Sequence, residues 1–272
     1  MTTVSYRNPV RSGLKSAFLG AALAEVAASF AMRCLRLGGA QPLTARERAN
    51  WLQDAACTVL ARIGMEIVTE GDPPLNGLVV SNHLSYLDVL AYASIAPCVF
   101  VAKQEVRAWP VFGAFATMAG TIYVDRERRS ANGGAAALIE AALQSGVPVV
   151  LFPEGTSSDR NSVLRFHSRY FEPAVRTHAM VTAAAIGYAS STAEEAALAY
   201  HGDDVFAPHL VRTLGQRNLE ARVAFAFAGR RYADRKEAAS ETQTEVELLR
   251  NVFARHSSIK PRIDPFRLTR AG

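Results

Sequence analysis

An imidazole and a carboxylate five residues apart, His83 and Asp88, follow the apolar run Leu78-Val79-Val80 in Ser81-Asn82-His83-Leu84-Ser85-Tyr86-Leu87-Asp88. On a regular helix that spacing separates two side chains by about 140°, so they would not meet. If the helix begins after His83, the histidine sits in a strand-to-helix turn and the aspartate in the first helical turn, where its carboxylate can fold back to the ring. A carboxylate on one ring nitrogen fixes the tautomer and makes the other nitrogen a better base. The competing reading is a capping box, Ser85-x-x-Asp88, in which Asp88 serves backbone donors alone.

Three more segments put polar groups directly after apolar runs. In Leu151-Phe152-Pro153-Glu154-Gly155-Thr156-Ser157-Ser158, Pro153 stiffens the exit from a strand and Gly155 permits a backbone turn closed to other residues. Glu154 and the hydroxyls then stand where a substrate would bind. Gly120-Thr121-Ile122-Tyr123-Val124-Asp125-Arg126 ends in a guanidinium suited to an oxyanion. Val99-Phe100-Val101-Ala102-Lys103 ends in a second cation. Each alone reads as an ordinary turn or surface ion pair; four successive strand ends that all deliver polar groups do not.

The elements that must position these groups are legible in outline. Strand-like runs at Leu78–Val80, Val99–Val101, Ile122–Val124, Val147–Phe152, Val181–Ile186 and Val223–Phe227 alternate with helical patterns near 85–95, 107–118, 131–144 and 169–177. This predicts an α/β fold with a mixed, largely parallel sheet flanked by helices, whose chemistry gathers at the carboxyl ends of the strands. A longer connection with a short helix is expected over 190–220 and a charged helix over 234–253. Ahead of the sheet, two helical stretches, Leu14–Leu37 and Ala45–Ile63, are separated by Gly38-Gly39-Ala40-Gln41-Pro42 and suggest an N-terminal helical hairpin. The expected divisions are a membrane-associating helical segment over 1–64, a catalytic domain over 65–258, and a basic tail over 259–272.

On the first helix, Lys15, Glu25, Ser29, Arg33 and Arg36 fall within a sector of roughly 80°, and nearly everything else is apolar or small. Such a helix must bury most of its circumference, in the core or at a bilayer boundary. Its longest charge-free apolar stretch, Ser16 to Ala24, falls short of the roughly 20 residues of a span.

The net charge of +5 suits an anionic partner. The basic residues lack the aromatic interleaving or module of a nucleic-acid binder, so no nucleic acid is expected. Cys34, Cys57 and Cys98 match neither a zinc site nor a CxxC pair, which points to a reducing compartment and to small core fillers. No secretory signal is expected.

On these residues the sequence resembles the 1-acylglycerol-3-phosphate acyltransferase family of phospholipid and glycerol acyltransferases. Asn82-His83-x4-Asp88 matches its catalytic block, Gly120-x4-Asp125-Arg126 the second, and Phe152-Pro153-Glu154-Gly155-Thr156 the third; Val181 to Tyr188 fills the place of the fourth. The resemblance runs from about residue 45 to 255. It implies that His83 takes the proton from a lipid hydroxyl as that hydroxyl attacks an acyl thioester, with Asp88 orienting the ring. Lys103, Arg126, Glu154, Gly155 and Thr156 are the expected substrate-binding residues. The implied co-substrate is acyl-CoA or acyl-carrier protein, with no metal and no other cofactor. The implied acceptor is a membrane lysolipid, first of all 1-acylglycerol-3-phosphate, and the implied setting is the cytoplasmic face of the cell membrane against an anionic lipid surface.

Two positions depart from that pattern. Ser157 stands where many lysophosphatidate enzymes carry a phosphate-binding arginine, and Glu-Gly-Thr-Ser-Ser-Asp followed by Val163-Leu164-Arg165-Phe166 is closer to lyso-ornithine-lipid O-acyltransferases. Arg160 or Arg165 is the expected substitute for it as a phosphate ligand. The fourth block also lacks its usual proline. A hydrolase directed by His83 at water, and a non-catalytic lipid-binding protein on the same fold, are the readings from other classes.

Overall fold

The computed structural model describes residues 8–36, 42–124, 132–158 and 162–257. Within them the chain forms one seven-stranded sheet in the order β1 (Met65–Glu70), β7 (Leu219–Phe225), β6 (Val181–Ala189), β2 (Leu78–Ser81), β5 (Val149–Leu151), β3 (Val99–Lys103), β4 (Ile122–Val124). Every neighbouring pair is parallel except β6 with β7. The central strands β2, β5 and β6 are buried almost throughout, as their unbroken apolar runs demand of strands covered on both faces.

Helices cover both sides. Val79, Phe100, Val150 and Ala184 face a core shared with α1 (Pro9–Arg36), α2 (Ala45–Ile63), α3 (Leu87–Ile95) and α8 (Phe206–Leu214). Leu78, Val80, Val149, Leu151 and Ala183 face the opposite core, under α5 (Asn132–Gln144), α6 (Glu172–Arg176) and α9 (Arg235–Ser257). The short helices α4 (Phe112–Met118) and α7 (Glu195–Leu198) complete the described α-helices.

The second N-terminal helix begins and ends where the sequence places it. Thr44 and Glu47 form a reciprocal capping box, and Gly64 closes the helix in the left-handed conformation at φ 64°. Trp51, Ala56, Val59 and Ile63 of α2 are buried in the same core as the sheet. The two N-terminal helices run antiparallel, tied by the ion pairs Arg62–Glu25 and Arg33–Asp54. Trp51 Nε1 also donates to Ser29 Oγ at 3.1 Å.

The polar sector of α1 therefore leans toward α2. A neighbouring side, with Val10, Leu14, Met32 and Leu35 between exposed alanines, is left uncovered among the described residues. The helix is long and apolar enough to cross a membrane by length and composition. Its 28 residues measure roughly 42 Å at 1.5 Å per residue.

Some expectations shift. The edge strand β1 is not among the strand-like runs, because Met-Glu-Ile-Val-Thr-Glu carries two charges and half its residues face outward. The last strand starts at Leu219, four residues early, because Glu220 and Arg222 pair with each other at the partly covered face. The helical pattern at 107–118 divides into a 3₁₀ turn, Gln104–Ala108, and α4, parted by Trp109-Pro110. Of the cysteines only Cys98 is a core filler; Cys57 is exposed and Cys34 half-buried, both on the N-terminal helices. Without its proline, the fourth block still runs as a regular nine-residue strand.

Candidate active site

The chain leaves β2 at Ser81 and enters α3 at Leu87, so His83 lies in the intervening turn and Asp88 in the first helical turn. Asp88 is fully buried. Its Oδ2 accepts from the backbone amides of Leu84, at 2.7 Å, and Ser85, at 3.1 Å, and lies 2.7 Å from His83 Nδ1. The carboxylate thus serves backbone donors and the imidazole together, and the two readings of Ser85-x-x-Asp88 coexist. Because Oδ2 can only accept, Nδ1 carries the hydrogen and Nε2 is left as the basic nitrogen.

Neighbouring strands fix this turn from three directions. Asn82 forms a two-way clamp on β6, its Nδ2 donating to the Ile186 carbonyl at 3.0 Å and its Oδ1 accepting from the Ile186 amide at 2.9 Å. The loop after β5 clips onto the turn where the Ser158 amide donates to the His83 carbonyl at 2.8 Å. The Tyr200 amide donates to the Leu84 carbonyl at 2.8 Å, so the connection between β6 and β7 straps the site from above. Phe152 stacks on the His83 ring.

His83, Lys103, Gly155 and Thr156 line one cavity of about 420 Å³. Most of its other walls are apolar side chains of the N-terminal helices and of α3, α4 and α8, among them Leu23, Trp51, Val59, Leu90 and Phe115. An elongated apolar ligand would leave water here beside an imidazole base. Gly155 sits at φ 75°, a conformation that favours glycine.

Glu154 behaves otherwise. It is buried and does not line the cavity. Burial pushes its carboxyl up to about 8. The backbone amides of His83 and Leu164 pull the other way, yet neither reaches an oxygen in good hydrogen-bond geometry. At neutral pH Glu154 is therefore mostly a neutral acid packed beneath the catalytic turn, not a ligand aimed at substrate.

Arg126 lies outside the described residues, as do Arg160 and the basic tail from 259 onward. Arg165 is exposed and lines a separate basin with His167, Arg169 and Lys236, away from the cavity that holds His83. Ser157 is already engaged, its hydroxyl donating to the Tyr200 carbonyl.

Several contributors escape sequence reading. Tyr188 donates to Asp88 Oδ1 from a hundred residues away. Tyr86, inside the catalytic turn, meets His209 Nδ1 at 3.0 Å, while His209 Nε2 donates to the Ala199 carbonyl at the same distance. That carbonyl fixes the tautomer, so the Tyr86 hydroxyl is the donor. No local spacing announces either pair; the aromatic content of Tyr86, Tyr200 and Phe206 was the signal available.

Residues 65–187 match the family model described as Acyltransferase. A 1-acyl-sn-glycerol-3-phosphate acyltransferase of Neisseria meningitidis is 33% identical over 164 residues, which take in 60% of this chain and 64% of that protein, under two thirds of its length. A lyso-ornithine lipid O-acyltransferase of Pseudomonas aeruginosa is 31% identical over 220 residues, 78% of this chain and 82% of that protein. The crystal structure of a 1-acyl-sn-glycerophosphate acyltransferase from Thermotoga maritima superposes with a TM-score of 0.62 at 17% identity, over 89% of this chain and 98% of that one, and so shares the fold.

Proposed function

This chain belongs to the acyltransferase family, and from that premise we propose that it moves a fatty acyl group from an acyl thioester to the free hydroxyl of a membrane lysolipid. The observation that carries the reading is the His83 Nδ1–Asp88 Oδ2 pair, 2.7 Å apart, on the wall of an apolar cavity. Nε2 takes the acceptor's hydroxyl proton as its oxygen bonds to the thioester carbonyl carbon. The carbon–sulfur bond then breaks, and the proton passes from His83 to the departing thiolate. General-base assistance of this kind is worth about 10²–10⁴-fold. Asp88 holds the ring in the competent tautomer, and Gly155 and Thr156, beside His83, shape the polar end of the site. The step calls for no metal or further cofactor, because the thioester arrives activated as acyl-CoA or acyl-carrier protein.

The exposed apolar side of α1 gives the enzyme a way to reach its lipid. With Val10, Leu14, Met32 and Leu35 turned outward, the helix lies in the headgroup and acyl boundary of the cytoplasmic leaflet, and Glu25 and Arg33 stay paired to α2.

For the acceptor, 1-acylglycerol-3-phosphate is the family's namesake, and one observation favours a second reading. Ser157 stands at the expected arginine position and spends its hydroxyl on the Tyr200 carbonyl. Position 157 itself therefore carries no cation for a phosphate monoester, which suits a lyso-ornithine lipid.

The test is turnover of purified protein on lysophosphatidate and lyso-ornithine lipid, each with acyl-CoA and with acyl-carrier protein, products read by lipid mass spectrometry. Diacylated lipid that vanishes with His83→Ala supports the reading. Free fatty acid produced at the same rate with and without acceptor would make the protein a hydrolase.

A further inference from the structure

Asp88 uses its two oxygens for different purposes. Oδ2 serves the Leu84 and Ser85 amides and the His83 ring, whereas Oδ1 accepts from the Tyr188 hydroxyl. Both side chains are buried. A buried carboxylate is costly unless each oxygen is held by donors, and a hydrogen bond to one oxygen draws charge from the other.

We propose that Tyr188 is a positioning residue of the His83–Asp88 pair, whose phenol sets how tightly the imidazole holds its proton. The proposal rests on His83 acting as the general base.

The backbone carrying Tyr188 is fixed more firmly than core packing requires. Asn82 clamps Ile186 on one side. On the other, Arg250 donates to the Ile186 carbonyl at 2.9 Å and grips Glu195 with two bonds, at 2.9 and 3.0 Å. Glu195 in turn accepts from the Tyr188 amide at 2.7 Å. Between them, Gly187 has no room for a side chain, since a Cβ there would lie 2.6 Å from Arg250 Nη1. The strand end is pinned at three consecutive residues, and the result is a phenol aimed at one carboxylate oxygen. Burial and the Asp88 charge push the Tyr188 hydroxyl well above the usual phenol range, so it stays protonated and can only donate to Asp88.

Removing that donor concentrates the carboxylate charge on Oδ2 and tightens its hold on the protonated ring. Lower pH is then no longer needed to keep the base occupied, and the acid limb of activity moves up.

The experiment is the pH profile of kcat/KM for acyl transfer in the wild type and Tyr188→Phe, with thermal melting of both. The expected result is an acid limb displaced to higher pH by about one unit. An acid limb that coincides with the wild type, whatever the loss in rate or melting temperature, overturns the proposal. Should Tyr188→Phe fail to fold, site-specific 3-fluorotyrosine at 188 keeps the shape and strengthens the donor. It is expected to move the limb to lower pH, and an unmoved limb again overturns the proposal. His83→Ala is run alongside. If it retains transfer, the general-base reading itself fails; if it is inactive and the limb is unmoved, Tyr188 alone is at fault.

Discussion

Phe152 lies face to face with His83, the two ring centroids 4.3 Å apart and the planes 14° from parallel. The ring of the third sequence block is thus the backing plate for the base of the first. The two meet because β5 inserts beside β2 in the sheet. Phe152→Leu keeps most of the buried volume and removes the plate, so it should cost under about 1.5 kcal/mol of stability. The larger effect falls on kcat, by roughly tenfold with KM little changed, since a misaligned base loses the reactive geometry and not binding. Steady-state kinetics and denaturant unfolding check both halves; a change in KM alone would contradict the assignment.

His83→Ala should reduce turnover by about 10²–10⁴-fold while leaving the fold intact, because the ring is partly exposed and the one acceptor it leaves, Asp88 Oδ2, still accepts from the Leu84 and Ser85 amides. Asp88→Asn should match it in activity and exceed it in lost stability. An amide cannot accept at once from His83 and from the Leu84 and Ser85 amides in the way Oδ2 does. Far-ultraviolet circular dichroism with a turnover assay separates the two effects.

Glu154 predicts a pH dependence of stability with a definite sign. Its carboxyl is raised from 4.5 to about 8 by burial, so the folded protein holds a proton that the unfolded chain releases. Its contribution is whole below about 4.5 and is lost as pH rises through about 8. The melting temperature of the wild type should therefore decline over that window. Glu154→Gln, neutral at every pH, should flatten the decline; an unchanged slope in differential scanning fluorimetry would refute the assignment.

On α1, Leu14 and Leu35 are 55% and 70% exposed on the side turned away from the protein. Replacing both by glutamate should leave the melting temperature nearly unaltered and sharply reduce co-sedimentation with anionic vesicles. Transfer to a short-chain, water-soluble lysolipid should persist. Unchanged vesicle binding would move the membrane contact elsewhere on the molecule.

Much of this could be read from the chain alone, wherever the cause is local. The limits of α2 follow from Thr44, Glu47 and Gly64 within one stretch of sequence. The meeting of His83 and Asp88 follows from a strand that ends and a helix that begins within six residues. Gly155 and Pro153 mark a strand exit through their own backbone preferences.

Other features have non-local causes, and only the tertiary structure decides them. The order β2-β5-β3 places the third block between the first block and Lys103. Tyr188 reaches Asp88 because β6 lies against β2 and runs past its end. The apolar side of α1 faces outward because its charged sector finds partners on α2. Glu154, polar and inside a block with the look of a binding loop, turns beneath the site because Phe152 and Gly155 on either side take the cavity wall. A sequence states which side chains are available at each strand end; the packing of the strands settles which of them face the substrate and which hold the others in place.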